Sequence, residues 1–521
     1  MKKKETIILS IFAILKSIFS VALVLIVKIL IDLATNHDEK VYVALIVFAS
    51  TVIFTIFLYV FAQYLKNKYA LSLELNLKRT IYSSLLKKEV SKIQKFHSGE
   101  IENLYYADVN RVVGGLVDSF PSAALLISRF VFSLIALAII DYRFLLGILA
   151  FGILFVGFGY FYSKKYKKYQ KRAIESDAEI NKFMLESFSN LKLLKSLNSE
   201  NRALERNNDD LKSNEIIKRK RNNFSLIGSS GLLIFLRIVY LGTFVYGALM
   251  IFNGQLTYGS LTGLIQLVSF IEGPLTNFNA IINSYNSFKI SKERIDEVLN
   301  LQDEVKQVEL NDFDEIIFKN VSFSYENNQI FKNFNYTINK NDSILIKGKS
   351  GRGKSTLFNL LLGFIEPDEG EILVRYKNKT YSIKETRTLF SLVNQDNILF
   401  SGSVRDNIYL LSEERDEDKI IGALKIANIY DELMEKKNKL DTKLIERGGG
   451  LSLGQIQRVA LAISILNNKK ILLLDEFTSS LDPKLEENIV LSISKLEKTK
   501  LTITHHNIEI DGSKVLNLDY E

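Results

Sequence analysis

Long apolar runs fill the N-terminal 290 residues, whereas the rest of the chain alternates short apolar stretches with polar ones. A helix that crosses a bilayer needs about 20 mostly apolar residues. Six stretches meet that length, at 7–34, 41–65, 119–140, 144–162, 224–252 and 259–285. Six crossings put both ends of the region on one side. Spans two and three, and again four and five, are joined by long polar connections with helical periodicity, at Leu71–Leu86 and Ile174–Leu197. The spanning helices are therefore predicted to continue past the bilayer as rods. The first connection carries Lys66, Lys68, Lys78, Arg79, Lys87, Lys88, Lys92, Lys95 and Arg111, and the second ends in Lys218-Arg219-Lys220-Arg221. The opposite turns, near 36–40, 141–143 and 252–258, hold only Lys40 and Arg143 as cations. This bias places the long connections and both ends in the cytoplasm. Met1-Lys-Lys-Lys4 resembles the start of a signal peptide, but no small-residue cleavage site follows, so the first span is read as retained.

The pattern changes near residue 300. Residues 301–314 are polar and acidic and read as a linker, and Ile316–Tyr325 then alternates like a strand. A strand at Ser343–Ile346 runs into the glycine-rich Gly348-Lys-Ser-Gly-Arg-Gly-Lys-Ser355, and Thr356–Leu362 continues as an apolar helix. Ile471–Leu474 has the continuous apolar character of a buried parallel strand and ends on Asp475 and Glu476. The predicted fold class is an all-α six-helix transmembrane domain over 1–300, a linker over 301–314, and an α/β P-loop NTPase domain over 315–521.

Composition narrows the function classes. The length of 521 residues suits two or three domains. The absence of cysteine removes disulfides, thiolate metal sites and a cysteine nucleophile. A net charge of +8 would suit nucleic acid, but the cations cluster beside the apolar runs, where they fit an anionic cytoplasmic leaflet. Abundant Lys, Asn and Ile suggest an AT-rich bacterial genome and so a bacterial cytoplasmic membrane. Lys16, Lys28, Arg129, Arg237 and Glu272 lie inside spans, where each either lines a substrate path or serves packing, as in an Arg237–Glu272 pair.

A strand, a glycine-rich loop and a helix in that order bind phosphate. The backbone N–H groups from Gly348 through Ser350, Gly351 and Gly353 to Thr356 cradle the phosphates, Lys354 reaches the outer ones, and Ser355 suits magnesium. Asp475 suits the same Mg2+ through water, and Glu476 suits a general base toward the attacking water. An acidic pair after a strand is otherwise an ordinary exposed turn, and the upstream loop decides between the two readings.

Leu451-Ser-Leu-Gly-Gln-Ile-Gln-Arg458, lying between that loop and the Asp-Glu pair, resembles the signature of ABC-type ATPases. With the six spans, the chain resembles a half-size ABC exporter along essentially its whole length. Phe96-His-Ser-Gly-Glu100, Asp108-Val109, Glu186, Lys195 and Glu200 look like that family's intracellular-loop positions, where short coupling helices occur. The resemblance implies further roles by position. Tyr325 stacks on adenine; Gln395, in preference to Asn394, touches metal and water; Asp482 lies in the D-loop; and His505, in preference to His506, holds the γ-phosphate. Glu446-Arg-Gly448 meets the partner's coupling helices, and Ser452, Gly454 and Gln455 face ATP bound by a second subunit. The cofactors implied are ATP and Mg2+, and the partners are a second half-transporter subunit, membrane lipid and a transported substrate, with no nucleic acid.

Leu453 stands where the family's LSGGQ has glycine. It adds bulk and would disfavour positive φ at the helix entrance. The preferred reading is a homodimer with two working sites, and the alternative is a heterodimer in which this signature faces a degenerate site. The expected function is ATP-driven export of a peptide, lipid or amphipathic small molecule. A lipid or lipid-linked sugar flippase, or an importer on the exporter fold, remain alternatives. An ATP-gated channel could dispense with Glu476 and His505, and a peptide exporter with a cysteine protease would need a cysteine. Only fifteen residues follow His506, so control through a C-terminal extension is not expected.

Overall fold

The computed structural model describes residues 4–519 apart from 97, 327, 350, 396–398, 446–447 and 505–511. The chain divides into two compact units, one of residues 1–83 and 98–299 and one of residues 84–97 and 300–521.

Helices fill the N-terminal part of the chain: α1 (Lys4–Thr35), α2 (Val41–Leu85), the one-turn α3 (Val90–Ile93), α4 (Ser98–Asn103), α5 (Val109–Gly114), α6 (Phe120–Ile140), α7 (Tyr142–Ser189), α8 (Leu191–Ser196), α9 (Glu200–Phe252) and α10 (Tyr258–Leu299). Single π-helical turns at Leu104–Asp108 and Gly115–Ser119 join α4, α5 and α6 into one rod. Among the described residues, four helical stretches are long and apolar enough to cross a membrane: Lys4–Thr35, Val41–Leu85, Gly99–Ile140 and Glu200–Phe252. The other two sequence-predicted spans, 144–162 and 259–285, lie in α7 and α10. The predicted rods are present, since α2, α7 and α9 run for 45, 48 and 53 residues, well beyond a bilayer's thickness. Asp141 ends α6 and caps α7, its carboxylate accepting from the backbone N–H of Arg143 at 2.8 Å.

Within this unit α1, α6 and α10 pack around Val21, Val24, Leu137, Leu264 and Leu267. Gly259 lets α10 approach α1 closely, because a Cβ there would lie 2.2 Å from the Lys28 carbonyl oxygen. Asp32 accepts from the Gly259 N–H at 2.9 Å and from Lys28 Nζ at 3.1 Å, so Lys28 is ion-paired along its own helix. Among the described residues Arg237 and Glu272 form no ion pair, so the packing pair suggested by the sequence is absent.

The second unit begins its sheets with β1 (Glu315–Tyr325), β2 (Asn328–Asn339) and β3 (Ser343–Lys347), followed by α11 (Lys354–Leu361), β4 (Glu369–Tyr376), β5 (Lys379–Ser382) and β6 (Phe390–Val393). A pair of short strands, β7 (Gly402–Ser403) and β8 (Lys443–Leu444), brackets α12 (Val404–Leu411), α13 (Glu417–Ile426) and α14 (Tyr430–Glu435). Then come α15 (Leu453–Leu466), β9 (Ile471–Asp475), α16 (Pro483–Ser494), β10 (Thr499–Ile503) and β11 (Lys514–Asn517). One sheet is antiparallel in the order β2-β1-β4-β5, and the other is parallel in the order β11-β3-β10-β9-β6. Every residue of β9 and β10 is buried, which accounts for the apolar run Ile471–Leu474 in β9.

Residues 301–314, read from sequence as a linker, are fastened along this unit. Glu304 pairs with Arg387, and the Val308 N–H donates to the Glu385 carbonyl at 2.7 Å. The stretch that carries α3 is bound to the same strap. Lys88 Nζ donates to the Leu301 carbonyl and to Asp303 Oδ1, each at 2.6 Å, and the Glu304 N–H donates to the Lys87 carbonyl at 2.8 Å.

Candidate functional site

The parallel sheet delivers the chemistry at the C-terminal ends of its strands, where ligands bind in open α/β sheets. From β3 the chain turns through Gly348, Gly351 and Gly353 at φ of 155°, 85° and 88° and enters α11 at Lys354. These turns leave backbone N–H groups at a helix N-terminus, an arrangement that attracts phosphate. Gly353 is held by its surroundings as well as by its φ, because a Cβ there would meet Ile330 Cγ2 at 2.3 Å. Lys354 folds over the loop and donates to the Gly348 carbonyl at 2.7 Å and the Lys349 carbonyl at 3.2 Å, so the ammonium is poised where phosphate oxygens would replace those carbonyls. Thr356 is buried behind the loop. Ser350 lies outside the described residues. Gly353→Ala is expected to abolish nucleotide binding by displacing this loop, read as loss of fluorescent-nucleotide binding in a protein that still elutes as folded.

Ser355 Oγ donates to Asp475 Oδ2 at 3.2 Å, joining the first turn of α11 to the end of β9. A hydroxyl and one carboxylate suit magnesium, which keeps several waters and takes its other oxygens from phosphate. Among the described residues no cluster of three or more His, Asp or Glu could cage a metal, in keeping with that division of ligands. The next residue, Glu476, adopts φ of 46°, a left-handed conformation that is unusual for glutamate. Its N–H donates to the Ile503 carbonyl at 3.0 Å, and Gln395 Nε2 donates to its Oε2 at 2.7 Å. The structure thus brings Gln395 to Glu476, and no hydrogen bond joins Gln395 to Ser355 or Asp475 among the described residues. His505 lies outside the described residues, as do His506, Glu446 and Arg447.

Tyr325 ends β1 with 46% of its surface exposed and its ring edge-on to Phe323, with centroids 4.9 Å apart. Half-exposed at a strand end, it is not a core tyrosine. Asp482 caps α16, accepting from the Leu485 N–H at 3.0 Å.

The signature forms the start of α15. Ser452 and Gln455 close a reciprocal capping box, with the Gln455 N–H donating to Ser452 Oγ at 3.3 Å and the Ser452 N–H donating to Gln455 Oε1 at 3.0 Å. Gly454 packs against the 480–481 turn, where a Cβ would lie 3.1 Å from the Ser480 carbonyl oxygen. Leu453 is the first helical residue, its φ is not positive, and its side chain is 58% exposed. The strain expected of a leucine here is therefore absent. Among the described residues no hydrogen bond joins Ser452, Gly454 or Gln455 to residues 348–355.

One participant went unnoticed in the sequence. Glu432, on α14, accepts from Gln455 Nε2 at 2.8 Å and from Arg458 at 2.5 and 3.1 Å, and the Arg458 guanidinium holds its carboxyl below the usual carboxylate range. Arg458 also donates to the Asn428 carbonyl at 2.6 Å and the Gly454 carbonyl at 3.2 Å. An acidic residue on a short amphipathic helix carries no motif, so nothing in the sequence marked it.

Comparison with known proteins places this geometry. The family model of the ABC transporter transmembrane region matches residues 6–275, and the model described as ABC transporter matches 331–479. The chain is 28% identical over 420 residues to the lactococcin-G-processing and transport ATP-binding protein of Lactococcus lactis subsp. lactis, covering 78% of this chain and 59% of that protein. It is 27% identical over 458 residues to a multidrug resistance ABC transporter ATP-binding and permease protein of the same subspecies, covering 84% of this chain and 76% of that one. The chain spans between 25% and 48% of the length of several other relatives. A solved bacterial Atm1-family ABC exporter with ATP bound shares the fold at a TM-score of 0.80 and 20% identity, covering 99% of this chain and 93% of that chain.

Proposed function

The chain belongs to the ABC transporter family, and from that premise we propose that it is an ATP-driven exporter that works as a dimer, with Glu476 as general base. One observation carries the reading. The Ser355–Asp475 contact and the Gln395–Glu476 hydrogen bond set an oxygen pair for Mg2+ and a positioned carboxylate side by side at residues 475 and 476. Lys354 and the loop amides bind the β- and γ-phosphates, Tyr325 stacks on adenine, and Gln395 holds Glu476 toward the attacking water. Mg2+ held at Ser355 and Asp475 supplies charge stabilisation on the transferring phosphoryl group. Glu476 takes the proton as water attacks in line, and ADP leaves with the terminal phosphate released.

A single ATP-binding domain offers its signature on a surface away from its own phosphate loop, so each site needs the Ser452, Gly454 and Gln455 of a second subunit. The helical backbone at Leu453 supports a second copy of this chain as that subunit. The cytoplasmic bias of the cations supports a cytoplasmic position for the ATPase unit in a bacterial inner membrane. Relatives named for lactococcin-G transport and multidrug resistance favour a peptide or amphipathic cargo.

The test is the chain purified alone and reconstituted into liposomes with the ATPase unit outward. ATP hydrolysis together with ATP-dependent uptake of an amphipathic dye supports the reading. Absence of hydrolysis by the chain alone would replace the homodimer with a heterodimer.

A further inference from the structure

Lys16 and Arg129 are half-buried within two of the sequence-predicted spans. Lys16 lies about 18 Å along α1 from its nearer end, at 1.5 Å per residue, and Arg129 is near the middle of α6. At that depth a cation is costly unless it meets a partner or a polar ligand. Among the described residues neither has a carboxylate partner. Lys16 Nζ lies 4.5 Å from the ring centroid of Tyr59, and the Arg129 guanidinium lies 4.8 Å from that of Phe270. Arg129 Nη2 makes only a long bond to Ser20 Oγ, at 3.5 Å. Arg129 Nε is buried with no acceptor, and the hydroxyls of the fully buried Ser17 and Ser133, next to Lys16 and one turn from Arg129, have no partner either. Ser20 and Phe270, the two residues that Arg129 touches, share one groove with Lys16. An open groove with about 330 Å³ of room is lined by Lys16, Ser20, Thr55, Tyr59, Gln266 and Phe270, with Leu23, Val24 and Ile56 as its apolar wall.

We propose that this groove is a binding site for an acidic amphiphile, a molecule with one phosphate or carboxylate group on an apolar body. Two unpaired cations in a low-dielectric setting attract an anion far more strongly than the same pair would in water. Lys16 supplies a compact point charge in the groove itself, and Arg129, which reaches the groove's Ser20 and Phe270 from behind, adds a second positive charge to the same wall. The apolar wall takes the rest of the molecule, and Tyr59 and Phe270 stay stacked on the cations. The site deepens the transport reading by giving the cargo a chemical class, and it rests on that reading for its role as a cargo site.

The test uses the full chain in nanodiscs of neutral phosphatidylcholine, titrated by calorimetry with dodecyl phosphate, and with dodecanol and dodecyltrimethylammonium as comparators. Wild type is expected to bind dodecyl phosphate at least about tenfold more tightly than either comparator, and Lys16→Gln or Arg129→Gln to lose about tenfold each. The charge-preserving Lys16→Arg should stay within about threefold of wild type, which keeps the test open if the neutral variants fold poorly. Equal binding of dodecanol and dodecyl phosphate, or undiminished binding by both Gln variants, overturns the site. Competition by phosphatidylglycerol in the nanodisc identifies a bilayer lipid as the source of the amphiphile, and its absence identifies one delivered from the cytoplasm. ATP hydrolysis without dodecyl phosphate binding removes the site and leaves the transporter, whereas binding without hydrolysis does the reverse.

Discussion

Glu476→Gln is expected to lower steady-state ATP hydrolysis by about a hundredfold or more, the scale of a lost general base, while ATP still binds. Glutamine keeps the shape of the side chain and an oxygen that can accept from Gln395 Nε2, so the turn after β9 should hold. What it loses is the ability to take a proton from water. Removing one negative charge beside the γ-phosphate also eases electrostatic repulsion, so the affinity for ATP should stay level or rise. Phosphate release measured beside nucleotide binding on the same preparation separates the two effects. Hydrolysis within about tenfold of wild type would mean that another group accepts the proton.

Glu432→Ala should be the most damaging change outside the nucleotide site. Arg458 is almost wholly buried, with 6% of its side chain exposed, and Glu432 supplies its charge partner. Removing one member of a buried pair strands the other. Because Glu432 is itself 42% exposed, the expected loss is about 2 kcal/mol, below the range for fully buried pairs. The unpaired guanidinium should also loosen Gln455 and with it the signature, so hydrolysis should fall along with the melting temperature. The pair makes a pH prediction of definite sign. The carboxyl of Glu432 is held below its ordinary value in the folded protein, so its contribution is present above the unfolded value, near pH 4, and is lost as pH falls through the folded one. The gap in melting temperature between wild type and Glu432→Ala should be full at neutral pH and narrow in acid. Equal melting temperatures at neutral pH would show that Glu432 does not brace the signature.

Much of the fold is legible in the sequence because a few physical rules act on it locally. Apolar run length placed the helices, since a bilayer imposes its own thickness, and the predicted stretches 41–65 and 224–252 lie wholly within α2 and α9. The P-loop was legible because phosphate binding needs backbone rather than side-chain variety, so glycine must recur. What stayed hidden depends on neighbours distant along the chain. Glu432 meets Arg458 only because α14 folds back beside α15, and the acidic 301–314 stretch resembles a loose connection until Arg387 and the Glu385 carbonyl are opposite it. Leu453 shows the converse error. Its expected strain presupposed a glycine backbone, whereas the chain enters α15 through a helical residue that a leucine occupies readily.

The strap that ties Lys88 to Leu301 and Asp303 sets an order on biosynthesis. Those partners lie 213 and 215 residues later in the chain. At a synthesis rate of about 5–20 residues per second, the segment around α3 waits on the order of 10 to 40 seconds for its neighbours to leave the ribosome. Throughout that interval its basic and apolar side chains lack these partners while the remaining helices of the first unit are being made. The ATPase unit is therefore complete only after the last membrane helix has been made, and a chain halted before residue 300 leaves Lys88 without the Leu301 and Asp303 partners that hold it.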